Sequence, residues 1–492
     1  MTASVAEMIG LLAACGAAAA GIATSDPRRR TIAIAIALVA APVLVVADVW
    51  NEPRVADFRG EPVQIAAALI AVTVALAALT VAIRRWAEVL PIAAFAVLPI
   101  RVPIEIGGET ANLLAPLYLV IAAGVVARLL DDREASRATA NASADAWPRR
   151  LRYLLAAGLV LYALQAAYSE DVSNAVENVG FFLAPFAVLF CLLSDIEWSA
   201  PLLRRVLIAV GAVAVACSLV AIYQYFARDL FLNPELFDAN QLHVYFRVNS
   251  IFFDPNIFGR YLALAIAAFA AVIAWNASRR TLVVSVSICA LALLALAFSY
   301  SITSFGALLA GLGTIAILRW GVRGLAAAAA LGAVALVALV LAGGAPTSDI
   351  EDVRSIDSGH ADLIEGGVEL AGDRPLWGWG SGSFGRAFYE RIERARTTVS
   401  HSEPITVAAE QGAIGLLVYA ALLIVSLVTL LGAGARLSLA RTLVAACFVV
   451  MVVDSFGYTG FTTDPATWAL LALGIALRAA ARPPGAPATI SA

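Results

Sequence analysis

Val63–Ile83 reads VQIAAALIAVTVALAALTVAI, 21 residues without one charge, and Arg84 and Arg85 follow at once. A helix needs about 20 apolar residues to cross a hydrocarbon core. This stretch has that length, and its flank is the cationic kind that stays on the cytoplasmic side. Open sheets cannot span a bilayer, and alternating ten-residue strands are absent, so the stretch predicts a helix in lipid. Working outward, some fifteen runs come near that length. They begin near positions 5, 31, 63, 89, 111, 151, 179, 204, 256, 281, 304, 324, 404, 439 and 465.

Composition says the same of the whole chain. It is 61% hydrophobic and 14% charged, with mean hydropathy +0.87. A soluble domain is about 45–50% apolar and about 25% charged. The expected fold is therefore all-α: a polytopic bundle of about 12–15 spanning helices with a helical extracytoplasmic loop domain. The run near Val5–Thr24 lacks a basic region before it, and Arg28–Arg30 come after it, so we expect a spanning helix rather than a removed leader.

All 33 basic residues are arginine, so every fixed cation is a planar fork suited to carboxylate or phosphate. The clusters Arg28–Arg30, Arg84/Arg85, Arg128–Arg152, Arg204/Arg205, Arg279/Arg280, Arg319/Arg323 and Arg436/Arg441 fall on alternate loops. Those loops are expected to be cytoplasmic, with the carboxyl terminus inside and the amino terminus outside. No basic run with interleaved aromatics suggests nucleic acid. Cys15, Cys191, Cys217, Cys289 and Cys447 all lie in apolar runs, with no disulfide frame or zinc spacing.

The expected organisation is 1–226 amino-terminal spans, 227–256 a first large outer loop and 257–342 central spans. A second outer loop follows at 343–403, then carboxyl-terminal spans at 404–480 and a disordered tail at 481–492. Long loops between closely linked helices are functional or disordered, and the aromatic and arginine content of these two argues against disorder. In the second, Ile364, Val368 and Ala371 form an apolar stripe, and Phe384, Phe388 and Ile392 another. Both predict amphipathic surface helices. Between them the three glycines and flanking tryptophans of Arg374-Pro-Leu-Trp-Gly-Trp-Gly-Ser-Gly-Ser-Phe384 suit a tight turn close to a ligand or to headgroups.

Two groups of residues can carry chemistry. The first is Arg247-Val-Asn-Ser-Ile-Phe-Phe-Asp-Pro-Asn256, running into Gly259-Arg260-Tyr261. The plain reading of Asp254 and Asn256 is a helix cap. Arg247 and Arg260 are less easily dismissed. Arg260 falls in the first turns of an apolar helix, where a charge is a functional hypothesis unless its long side chain snorkels to the headgroups. The second is Ser400-His401-Ser-Glu403-Pro, followed by Glu410-Gln-Gly412-Ala-Ile-Gly415. Only His243, His360 and His401 are histidines, and His401 at the start of a helix suits a general base. A lone loop histidine is more often a bystander, and Glu410 reads equally as an ion-pair partner. No metal spacing and no Walker loop is present.

Taken in order, these motifs resemble the O-antigen ligase and polymerase family. Its marks are an arginine, then Asp-Pro-Asn entering a helix, a Pro-Leu-x-Gly-x-Gly turn, and a histidine followed at nine residues by Glu-x-Gly-x-x-Gly. Order and spacing agree over roughly Arg247–Tyr419, and Arg354 matches a further family arginine. In one place the chain departs: where many members carry Ser-Arg-Gly, it has Ser304-Phe305-Gly306, and Arg260 is the candidate substitute.

The resemblance implies a metal-independent, cofactor-free glycosyltransferase of the cytoplasmic membrane, its site on the outer face, working in cell-surface polysaccharide assembly. It implies a polyprenyl diphosphate-linked glycan as donor, a glycan or glycolipid as acceptor, membrane lipids as surroundings and no nucleic acid. Arg247 and His401 would be catalytic. Arg247, Arg260 and Arg354 would bind the diphosphate, with Asp254, Asn256, Glu410, Gly380 and Gly382 in support. Two rivals remain: a multi-pass transporter of a small anion or sugar, and a non-catalytic scaffold of a wall-assembly complex.

Overall fold

The computed structural model describes residues 4–50, 60–106, 109–131, 146–231, 246–275, 278–339, 360–392, 400–432 and 438–480. It is a helical bundle. Ten described helices are long and apolar enough to cross a membrane. They are α1 (Val5–Ala23), α2 (Pro27–Val49), α3 (Pro62–Arg85), α6 (Ala146–Gln165), α7 (Val172–Ser194), α8 (Ala200–Ala227), α9 (Pro255–Ala274), α10 (Arg279–Ser299), α11 (Ile302–Leu339) and α14 (Glu403–Leu431). Three shorter helices accompany them: α5 (Ala115–Leu129), α15 (Leu439–Ser455) and α16 (Pro465–Ala480).

The runs near 304 and 324 are two helical arms of α11 as expected, separated by a kink at Gly321, whose φ of 71° leaves the helical region. One expectation about the spans changes. The runs near 89 and 111 do not each span. Helix α4 (Val89–Val97) has nine residues, and a two-stranded antiparallel hairpin, β1 (Val102–Ile106) with β2 (Glu109–Leu113), separates it from α5. Arg101 and Pro103 interrupt the apolar pattern there, and proline lacks the N–H a helix needs.

Burial explains the layering. From Ala184 to Ser194 α7 is buried on every face and forms the axis of the bundle, as a helix apolar all round requires. In α3 only Thr80 and Ile83 are buried, so it lies at the rim.

The arginines of the alternate loops collect at one end. Arg30 and Arg128 both bind Asp195, the latter at 2.9 Å, and Arg152 donates to Ser194 beside it at 3.2 Å. Burial opposes the charge of Asp195, but Arg128, Arg30 and Arg152 outweigh it and hold the carboxyl below its ordinary pKa. The same arginines cap helices. Arg128 donates to Leu192 O, Arg152 to Ile22 O, Arg319 to Ala274 O and Arg441 to Gly432 O. Those carbonyls belong to helix C-termini, which lack intrahelical donors and carry negative partial charge. One cation type thus supplies both the loop signal and the caps.

The long 343–403 loop is described in part, as α12 (His360–Asp373) and α13 (Phe384–Arg391). Leu370, Trp379, Phe384, Ala387 and Phe388 pack with Ala409 of α14 into a small core of their own. The α13 stripe lies inward as expected. The buried face of α12 differs from the expected stripe: Gly366, Gly367 and Leu370 are buried, while Val368 is exposed. A Cβ at Gly366 would stand 2.4 Å from the Phe388 ring, and one at Gly367 2.6 Å from Ile405. Glycine, which a hydrophobic stripe ignores, sets the contact face because it lets the ring approach.

Candidate active site

The end of the bundle opposite the arginine cluster gathers both groups of motif residues. Asp254 caps α9, accepting from the Asn256 and Ile257 N–H groups at 2.6 and 3.4 Å. On that turn Asn256 accepts from Arg247 Nη2 at 2.8 Å, while Arg247 Nε donates to Ser299 O at 3.0 Å. Asp254 also accepts from the Tyr458 hydroxyl at 2.7 Å. The Tyr458 ring lies 5.4 Å from the imidazole of His401. A continuous path, Arg247–Asn256–Asp254–Tyr458–His401, therefore joins the two groups. Burial, with Asp254 beside it, pushes the Tyr458 phenol well above its ordinary pKa, so it stays a donor.

His401 is held by its neighbours. Its φ is 60°, in the left-handed region uncommon outside glycine. Ser400 N donates to Thr406 Oγ1 at 3.2 Å, Ser400 Oγ to Ser402 O at 2.8 Å, and Ser402 N back to Ser400 Oγ at 3.2 Å. Glu403, the next residue, accepts from the N–H groups of Gly460, Phe461 and Thr462 at 2.8–3.4 Å. That carboxylate ties the start of α14 to the loop bearing Tyr458.

Arg260 requires a correction. A guanidinium has five N–H donors, and here each is taken. Nε meets Asp454 at 2.5 Å, Nη1 meets Asp464 at 3.3 Å and Gly460 O at 3.4 Å, and Nη2 meets the carbonyls of Tyr458 and Thr459 at 2.7 and 2.9 Å. Arg260 is 2% exposed. It neither snorkels nor keeps an N–H for phosphate, and it does not take over for the arginine missing at Phe305. It ties α9 to α15 and to the 456–464 loop. Ser304, beside Phe305, donates to the other oxygen of Asp454 at 3.0 Å.

The glycine turn and Glu410 also acquire a structural role. Gly378, Gly380 and Gly382 have φ of 68°, 99° and 78°. A Cβ on Gly380 would lie 2.3 Å from Ser169 Cα, and one on Gly382 2.7 Å from Ala175 N. The close approach is to protein backbone, where a ligand or headgroups were expected. Helix α14 breaks at Gly412, φ 63°, and the turn fills the break: Gly380 N donates to Glu410 O at 2.8 Å and Ala413 N to Pro375 O at 2.8 Å. The Glu410 carboxylate accepts from Gly382 N and Phe384 N at 2.8 and 3.2 Å. Trp379 is sandwiched between the guanidinium groups of Arg374 and Arg391, at 3.7 and 3.8 Å, and Glu170 pairs with both.

Residues 287–420 match the O-antigen ligase family. The match covers just over a quarter of the chain and takes in Ser304, the glycine turn, His401 and Glu410. It bears out the resemblance read from the motifs. With ten membrane-crossing helices it makes this a multi-pass membrane protein with an O-antigen ligase-type region. No curated protein matches the chain. Arg247, Arg260 and Tyr458 lie outside the matched stretch. Arg354 and His243 lie outside the described residues.

Tyr458, Asp454 and Glu403 were not among the residues expected to act. Asp454 had a readable signal: it is an acid in the otherwise apolar run of α15, and a charge inside a span asks for a partner. Tyr458 had none, since one tyrosine in a short loop is unremarked in a sequence.

Proposed function

We propose that the protein is a glycosyltransferase of the cytoplasmic membrane. In this reading it moves a glycan from a polyprenyl diphosphate to an acceptor hydroxyl on the outer face, as a ligase or a polymerase. One observation carries it: Tyr458 touches both Asp254, on the Arg247 turn, and His401, so motifs some 150 residues apart share one end of the bundle. That end lies away from the arginine-capped loops, which the charge rule assigns to the cytoplasm.

The chemistry follows from the groups present. A diphosphate leaving group is a stable anion and needs no general acid. Arg247, anchored on Ser299 and Asn256, presents a planar fork of the kind that binds phosphate with charge assistance. His401 accepts the acceptor's proton, a contribution of about 10²–10⁴-fold. Its left-handed backbone is strain of the sort that collects at functional positions. Alignment of donor and acceptor contributes through effective molarity. With one base and no nucleophilic carboxylate assigned, the reaction is a single displacement with inversion. Arg260, Glu403 and Glu410 are positioning residues here.

The test is transfer of labelled lipid-linked glycan by purified full-length protein with no gradient present. Wild type transfers, whereas Arg247→Ala and His401→Ala each lose at least tenfold with unchanged folding. Full activity in both variants would overturn the assignment. Absence of transfer by the wild type, with gradient-dependent movement of a small solute, would favour the transporter.

A further inference from the structure

We infer that Arg101 grips the diphosphate of the lipid-linked donor at the mouth of an apolar groove, and that the donor's prenyl chain lies along that groove. The inference rests on the glycosyltransferase reading and names the residue and channel that would hold its donor.

The groove runs between α4, α8, α9, α15 and α16. On α9 its wall is Ile257, Tyr261, Leu264 and Ala268, a one-face pattern reaching about 16 Å from the site end at 1.5 Å per residue. Val206 and Val210 of α8 face them. Its three charged residues are Arg101, Arg260 and Asp464. Arg260 and Asp464 are paired with each other, and the Ala466 N–H also holds Asp464 at 2.8 Å.

Arg101 is different. Its guanidinium lies over the rings of Phe252 and Phe253, at 5.7 and 5.4 Å. Both distances fall within the range of a cation–π contact. Among the described residues no hydrogen bond or ion pair engages its N–H groups. Burial lowers the pKa of Arg101, with Asp464 acting in the opposite sense. A cation held in apolar surroundings by two aromatic faces gains from an anion that takes its fork bidentately. Phe252 and Phe253 belong to the turn that bears Asp254 and Asn256, so a phosphate on Arg101 sits beside the Arg247–His401 path. A single chain with an anionic head matches this shape and charge.

The test measures binding of undecaprenyl diphosphate to purified full-length protein by native mass spectrometry, with phosphatidylglycerol as competitor. Wild type should hold the diphosphate against the phospholipid. Arg101→Gln should weaken binding tenfold or more, the scale of losing charge-assisted hydrogen bonds, and Arg101→Lys should fall between. Ala268→Leu, which narrows the groove without touching charge, should also weaken it. Should Arg101→Gln fail to fold, Arg101→Lys and Ala268→Leu carry the test. Wild-type affinity in both Arg101→Gln and Ala268→Leu overturns the inference. So does phosphatidylglycerol binding as tightly as the diphosphate. Loss in Arg101→Gln but not Ala268→Leu places the prenyl chain elsewhere and overturns the groove assignment. His401→Ala keeps the two ideas separable: if it abolishes transfer while Arg101→Gln binds normally, the function stands and the inference fails. If wild type binds no diphosphate and transfers no glycan, the function itself fails.

Discussion

The two ends of the bundle use arginine in opposite ways. At one end Arg30 and Arg128 converge on Asp195, and the loop arginines cap helix carbonyls. Each cation there answers a need of the fold. At the other end the arginines diverge. Arg260 has all five donors engaged by two carboxylates and three carbonyls, while Arg101 lies against the Phe252 and Phe253 rings and makes no hydrogen bond or ion pair among the described residues. Burial does not distinguish a scaffold arginine from a binding one. The number of donors already taken does.

That contrast can be broken most sharply at His401. His401→Ala should lower glycan transfer by about 10²–10⁴-fold with thermal unfolding unchanged; a variant that unfolds early but transfers normally would make the residue part of the scaffold. Next is the Arg260 pair. Asp454→Ala leaves a buried guanidinium without its closest carboxylate, and breaking such a pair costs about 3–5 kcal/mol. Its unfolding midpoint in detergent should fall steeply, and an unchanged midpoint would mean that Arg260 is not a structural tie.

A smaller effect is expected at the turn that fills the break in α14. Gly380→Ala forces a side chain onto a φ of 99° and within 2.3 Å of Ser169 Cα, a strain of about 1–3 kcal/mol or more. Limited proteolysis should cut faster near 374–384, with the arginine-rich end still protected. The smallest effect concerns acid. The folded pKa of Asp195 lies below its unfolded value near 3.8. A depressed carboxyl stabilises above the unfolded pKa and loses that stabilisation as pH falls through the folded one. Stability from this cluster should therefore be intact at neutral pH and decline only below about pH 4. Asp195→Asn should flatten that acid limb. An acid limb identical to wild type would remove the carboxylate from the centre of its arginine cluster.

The spans, the alternating arginine loops and the His401 motif were legible because each depends on residues close together in the chain. Hydropathy over 20 residues is a local sum, and a charge count needs only the loop that holds it. The hairpin at 102–113 was missed because it is embedded between two apolar runs that look like spans. The exposed Val368 was misplaced because two glycines, silent in a hydrophobic pattern, chose the packed face of α12. The glycine turn read as a close approach to a ligand or to headgroups, and Glu410 as an ion-pair partner or a supporting residue of the site. In the structure they are two halves of one backbone contact, bridged by a carboxylate that accepts from Gly382 and Phe384.

By itself the sequence determined the solvent and the helices that cross it. In lipid the backbone must satisfy its own hydrogen bonds, and a long apolar run can do so only as a helix. Tertiary structure alone decided which arginines belong to the scaffold. Arg260 finds its carboxylates 194 and 204 residues away, and Arg101 finds its aromatic faces on Phe252 and Phe253. No local pattern contains such pairings, because a guanidinium's role is set by what the fold brings within hydrogen-bonding reach.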